Sequence, residues 1–168
     1  MLAGRPGGTG FAFPCRFFSV AQRLNKRTPE RLAELREPYL QMLRNLLPHV
    51  QLQHALGGGV VVEGPWRSAM WKFPEWLHIQ HAAGLRRIVC DQCRFGCRWR
   101  KRTCLWTNLP ESATRHLEKK CNHGKGAHPP LIGTAPDGEP WTRKAARYPA
   151  EFCDALAQAV EFGIKIAD

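Results

Sequence analysis

The run Gly57-Gly58-Gly59-Val60-Val61-Val62 constrains the fold of this chain more than any other. The glycines interrupt whatever precedes them. The valines are β-branched and offer no polar face, so they suit a strand covered on both sides, at the centre of a sheet. A sheet covered on both faces needs helices, and the flanking sequence supplies them. Thr28-Pro29-Glu30 combines an N-cap residue, a proline at the first helical position and an acid in the first turn. Leu32, Leu35, Tyr39, Leu40, Leu43, Leu46 and Leu47 then recur at helical spacing, with Pro38 expected to kink the segment and Pro48 to limit it.

The rest of the chain follows the same alternation. Residues 1–10 read as a flexible leader, and Gly10 to Phe13 as the end of a strand. Trp66 to Ala83 reads as a loop and a short helix, and Leu85 to Cys90 as a strand. Lys101 to Thr107 is a further strand, in which Thr103, Leu105 and Thr107 alternate with Cys104 and Trp106. The last two strands flank Phe95-Gly96, which predicts a hairpin. Pro110 to Lys120 suggests a short helix, and residues 121–141 a long loop rich in Gly, Pro and His. A last helix starts at Pro149, with Phe152, Leu156, Ala159 and Val160 as its apolar stripe and Gly163 as its end. Strands alternating with helices predict an α/β fold with a mainly parallel sheet and an antiparallel hairpin at one edge. A length of 168 residues suits one domain, or one incomplete larger domain.

Charge and cysteine content narrow the function. Lys and Arg number 25 against 14 Asp and Glu, a formal net charge of +11. Part of that excess is concentrated. Arg86, Arg87, Arg94, Arg98, Arg100, Lys101 and Arg102 fall within seventeen residues, opposed by Asp91 alone. A solvated basic face is the plain reading, but such a cluster favours a polyanion through counterion release. Arg94, Arg98, Arg100, Lys101 and Arg102 are the candidate nucleic-acid contacts. No run approaches the roughly 18 apolar residues of a membrane helix, so no membrane partner is expected. The N-terminus lacks the apolar core of a secretory signal. Seven cysteines, an odd number, then point to an intracellular, reducing compartment rather than a disulfide framework.

Three residue types sit where chemistry could use them. Cys15 stands in Pro14-Cys15-Arg16-Phe17-Phe18-Ser19, with Gln22 and Asn25 behind it. Glu63 ends the valine strand, and a carboxylate at a strand C-terminus faces the ligand crevice of an open α/β sheet. Arg98, Arg100 and Arg102 alternate after the Phe95-Gly96 turn and run into Lys101-Arg102-Thr103-Cys104-Leu105-Trp106-Thr107-Asn108. The bland alternatives are a buried structural thiol, a capping carboxylate and a charged hairpin.

In this order and at these gaps, the pieces resemble the catalytic half of the cytosine-C5 DNA methyltransferase family, in its divergent phage and mobile-element form. Ser68-Ala69-Met70-Trp71-Lys72-Phe73-Pro74, Asp91-Gln92-Cys93 before Phe95-Gly96, and the segment from Thr103 to Asn108 carry the same likeness. The resemblance covers about residues 11–165. It implies a partial Rossmann-like methyltransferase domain. Cys15 would add as a thiolate to C6 of a flipped-out cytosine. Glu63 would hold N3 and the amino group, and Arg100 and Arg102 would anchor the base carbonyl and phosphates. Gly64 departs from the family, which has Asn there.

The resemblance also implies S-adenosylmethionine as methyl donor and DNA as substrate, in nucleus or nucleoid. Yet the family's strand and glycine loop for that cofactor should precede Cys15 by several tens of residues, and fourteen stand there. Gly7-Gly8-Thr9-Gly10 has no strand before it and no acid after it. Cofactor binding by this chain is therefore not expected, and the cofactor-binding residues are unassigned. A target-recognition domain is missing as well. The chain reads as a truncated or degenerate member, inactive in isolation, whose missing half comes from a separate chain or an upstream segment.

A different class of function competes with this one. Cys90 and Cys93, followed by Cys121, His123 and His128, have types and spacings that could close a tetrahedral zinc site. The chain would then be a non-catalytic, basic nucleic-acid-binding module, stapled by zinc.

Overall fold

A computed structural model of the chain describes residues 7–19, 22 and 26–167, with side chains to residue 164. Asn25 and the first six residues of the expected leader lie outside the described residues. Among the described residues there are four strands and five α-helices: β1 (Gly8–Ala12), α1 (Pro29–Ala55), β2 (Gly59–Pro65), α2 (Pro74–Ala82), β3 (Arg86–Asp91), β4 (Arg102–Thr107), α3 (Glu111–Thr114), α4 (Trp141–Lys144) and α5 (Ala150–Ala167). The strands form one sheet in the order β1-β2-β4-β3.

The fold is α/β as expected, but the sheet is mixed rather than mainly parallel. β1 and β2 are parallel, joined by the crossover helix α1, and Ala12 pairs with Glu63 at their C-terminal ends. β4 is antiparallel to both β2 and β3. The hairpin predicted at one edge is present, with β3 outermost. Its returning strand inserts between β2 and β3, so the sheet has two antiparallel pairs against one parallel pair.

Both faces of the sheet are covered, as the valine run requires. Val60, Val62, Cys104 and Trp106 pack on one face against Leu43 and Val50 of α1 and Trp76 and Ile79 of α2. Val61, Ile88 and Leu105 pack on the other against Phe152 and Ala159 of α5. Trp71, Trp76 and Trp106 meet edge-on or tilted, with centroids 4.7–5.9 Å apart.

Several local expectations give way to packing. β1 begins at Gly8, inside the expected leader. Its glycines serve close approach: a Cβ at Gly8 would lie 2.4 Å from Val160 Cγ1 of α5. Thr28 caps α1 through its side chain with Pro29 at the helix start; the helix holds Pro38 within it but continues past Pro48, the expected limit, to Ala55. The buried stripe Leu40, Leu43, Leu46 and Val50 outweighs the hydrogen bonds that the two prolines remove. Likewise α5 continues past Gly163, whose bare Cα lets Leu109 approach; a Cβ there would lie 2.7 Å from Leu109 Cδ2. Residues 121–140 are irregular as expected, apart from a single bridge between Thr134 and Pro140.

Candidate functional site

Parallel pairing of β1 with β2 brings the segment after β1 beside the end of β2. Glu63 lies on the same strand face as Val61, toward α5, and is 8 % exposed. The Tyr148 hydroxyl, just before α5, donates to Glu63 Oε2 at 2.5 Å. Lys101 Nζ lies 3.9 Å from Glu63 Oε1 and 4.8 Å from the centre of the Tyr148 ring. Oε1 is buried and has no hydrogen-bond partner among the described residues. Burial pushes the Glu63 carboxyl above the ordinary carboxylate range, against the pull of Lys101 and Tyr148.

Cys15 sits three residues beyond β1, in a turn where its carbonyl accepts the N–H groups of Phe18 (3.0 Å) and Ser19 (2.9 Å). Phe18, fully buried, anchors that turn, and its carbonyl accepts the Ala69 N–H at 2.8 Å. Cys15 lies within electrostatic reach of Lys101, Glu63 and Tyr148. Burial raises its thiol; Lys101 opposes the shift and Glu63 adds to it. A thiol raised in this way becomes a nucleophile only by giving up its proton.

A pocket of about 490 Å³ lies between α5 and the β1–β2 pair, lined by Phe11, Val61, Glu63, Phe152, Leu156 and Val160 among others; Cys15 is not one of its lining residues. Its walls are apolar and Glu63 is the buried acid in it. A second pocket of about 340 Å³, which includes Arg98, Trp99 and Arg147, shares Tyr148 with the first.

Gly64 has a local cause. A Cβ there would lie 2.7 Å from Trp71 Cζ2, and Trp71 Nε1 donates to Pro65 O at 2.8 Å. The tryptophan occupies the space that any larger side chain at position 64 would need. Asn108 is also placed structurally: its Oδ1 accepts the Val60 N–H at 2.7 Å and its Nδ2 donates to Gly58 O at 3.1 Å, fixing the start of β2.

The arginines are not arranged as a strand stripe. Only Arg102 lies in β4; Arg98 and Arg100 precede it in the loop after Gly96, which turns the chain at φ 85°. Arg100 and Arg102 both fold onto Asp91, a fully buried carboxylate at the end of β3. Arg102 Nε and Nη2 donate to its two oxygens at 2.9 and 2.8 Å, and Arg100 reaches it at 3.3 and 3.4 Å. Burial alone would raise the Asp91 carboxyl. Hydrogen bonds from Arg102, the Cys121 N–H and Arg100 outweigh it and hold the group far below the usual carboxylate range. Of the five candidate nucleic-acid contacts, Arg98 is exposed, Arg94 is half-buried, Lys101 is turned toward Glu63, and Arg100 and Arg102 are paired. Asp91 was visible as the one acid among the basic residues and as part of the Asp91-Gln92-Cys93 likeness, and Tyr148 only as a residue before a helix. Nothing local signals what either one bonds.

On the far side of Asp91 lies a second constellation. One ligand atom from each of Cys93, Cys121, His123 and His128 falls within 4.8 Å of all the others, a group that could hold a metal ion. Cys121 Sγ is 3.4 Å from His123 Nδ1 and 3.2 Å from His128 Nε2. These hydrogen bonds pull the Cys121 thiol down to about 6, while burial and the contact with Cys121 push Cys93 up to about 11. Cys90, named with Cys93 from its spacing, is not part of the group. It is a β3 residue packed in the core on the α5 side, where burial pushes its thiol up to about 12. Cys93 leaves the strand in the helical turn Gln92–Phe95 and so turns away from that core.

Fold and sites together describe an α/β protein with a buried acid, Glu63, in one of two parallel strands, a thiol, Cys15, in the turn after the other, and a Cys/His cluster at the end of its hairpin. The sequence matches no protein-family model, and comparisons with curated proteins and with solved structures return no match.

Proposed function

We propose that the chain is the catalytic half of a cytosine-C5 DNA methyltransferase-type domain, with Cys15 as the nucleophile toward cytosine C6 and Glu63 as the acid at N3. The observation that carries this reading is Glu63 Oε1, a buried carboxylate oxygen with no hydrogen-bond donor among the described residues, within electrostatic reach of Cys15. Such an oxygen is suited to a ligand donor, and the amino group of a flipped base is one. The raised carboxyl lets Glu63 share a proton with N3. Arg100 and Arg102, the anchors that the resemblance implies, are held by Asp91, which makes Lys101 the cation nearest the acid. S-adenosylmethionine is the methyl donor in this reading. Gly8 to Gly10 belong to β1 and form no loop for it. The cofactor half then comes from elsewhere, and the chain alone transfers no methyl group.

The test uses a DNA duplex with 5-azacytosine at the target position. That base keeps the 4-amino group and accepts a thiolate at C6 without methyl transfer: the S–C6 bond forms, the N5–C6 double bond is lost, and N5 takes a proton. The expected product is a covalent adduct of one chain per duplex by mass spectrometry, lost in Cys15→Ser and diminished in Glu63→Gln. An adduct that survives Cys15→Ser, or none at all with the unaltered chain, sinks the proposal. Labelled methyl transfer from S-adenosylmethionine by the chain alone would show that it holds the donor after all.

A second reading is a non-catalytic basic nucleic-acid-binding module. What favours it is the partly buried Cys15 thiol, which burial raises, together with the Cys/His cluster beside the arginines. It predicts DNA binding with no adduct.

A further inference from the structure

We propose that Cys93, Cys121, His123 and His128 bind one zinc ion, whose role is to fasten the irregular segment 118–130 onto the end of the β3–β4 hairpin. The ligand set is two thiolates and two imidazoles, which suits zinc in tetrahedral coordination. With Zn–S and Zn–N bonds of ordinary length, tetrahedral sulfur and nitrogen ligands stand about 3.5 Å apart. Cys121 Sγ already lies 3.4 Å from His123 Nδ1 and 3.2 Å from His128 Nε2. Four protein ligands leave no open position for substrate, so the site is structural rather than catalytic.

Groups around the ligands are arranged to orient them. His128 Nδ1 faces Arg98 O at 2.9 Å; as donor there, it leaves the Nε2 lone pair directed at the cluster. Cys121 N donates to Asp91 Oδ2 at 2.9 Å, and Asp91 N donates to Lys119 O at 2.9 Å. One carboxylate thus positions a ligand on one side and holds Arg100 and Arg102 on the other.

The segment needs such a fastening. Between residues 121 and 140 only Ala135 is buried among the described side chains, and regular structure is limited to one bridge. Burial cannot order a stretch of this length, and long irregular segments in compact domains are usually tied down or functional. The sheet does not depend on it, because both apolar clusters are built from other residues.

The full chain, purified without chelator, should contain one zinc per chain by elemental analysis. Cys93→Ser, Cys121→Ser and His128→Ala should each abolish most of it, while Cys90→Ser and Cys97→Ser retain it. Because a ligand variant could misfold, cobalt exchange into the unaltered chain gives an independent readout: intense tetrahedral visible bands and a thiolate-to-cobalt charge-transfer band. Chelation should open the 118–130 segment to protease and leave the sheet's cooperative unfolding in place. A zinc-free protein that does not take up cobalt, a Cys93–Cys121 disulfide, an iron–sulfur chromophore, or zinc lost equally with Cys97→Ser would overturn the assignment.

Discussion

Tyr148 and Glu63, 85 positions apart in the chain, are joined by a 2.5 Å hydrogen bond that ties the approach to α5 to the C-terminal end of β2. The Tyr148 ring also stacks on Phe152 and lies beneath the Lys101 ammonium. Replacing Tyr148 by Phe keeps the ring and deletes the donor. Both oxygens of a buried carboxylate then lack a hydrogen bond, which costs about 1–3 kcal/mol. The urea midpoint of Tyr148→Phe should fall accordingly with an unchanged m-value; an unaltered midpoint would mean that the bond contributes nothing in solution.

Glu63 gives the chain a pH dependence with a definite sign. Burial raises its folded carboxyl above the ordinary value of 4.5, so the folded chain keeps a proton that the unfolded chain has lost. Stability from this group falls as pH rises from that ordinary value through the raised one, and is level on either side. Glu63→Gln should remove the fall. Its stability relative to the unaltered chain should therefore grow from acidic to neutral pH in denaturant titrations; a constant difference contradicts the burial argument.

Gly64→Asn introduces the residue that the methyltransferase resemblance would place here, and should be harmful. Its Cβ meets Trp71 at 2.7 Å, and Trp71 is packed between Trp76 and Trp106. Overpacking of this kind costs about 1–3 kcal/mol. Thermal denaturation checks it. A variant as stable as the parent would show that Trp71 yields freely.

The arginines should divide by role in a DNA-binding assay. Arg98 is exposed, so Arg98→Ala should flatten the log–log salt slope by about one and leave stability unchanged. Arg102→Ala strips two charge-assisted hydrogen bonds from buried Asp91 and should cost about 1–3 kcal/mol of stability, since Arg100 and the Cys121 N–H remain. If Arg98→Ala and Arg102→Ala alter the slope alike and neither unfolds the protein, Asp91 does not hold Arg102 in solution.

The elements of this protein were determined locally. A β-branched run made β2, an alternation made β4, and Thr28-Pro29 set the start of α1, because each signal acts over a turn of helix or a few strand positions. Cys15 just beyond β1 and Glu63 after the valine run were placed for the same reason, though β2 continues past Glu63 to Pro65, and all four members of the Cys/His group stood among the candidates that spacing suggested. Only the tertiary structure decided what paired with what. Insertion of β4 between β2 and β3 made the sheet mixed, and packing carried α1 through two prolines and α5 past Gly163. It also chose Cys93 over Cys90, since one thiol leaves the strand and the other points into the core. Asp91 and Tyr148 became the centres of their networks through partners 9 to 85 residues away. Such contacts depend on which surfaces meet when the helices close over the sheet, and no periodicity along the chain encodes that.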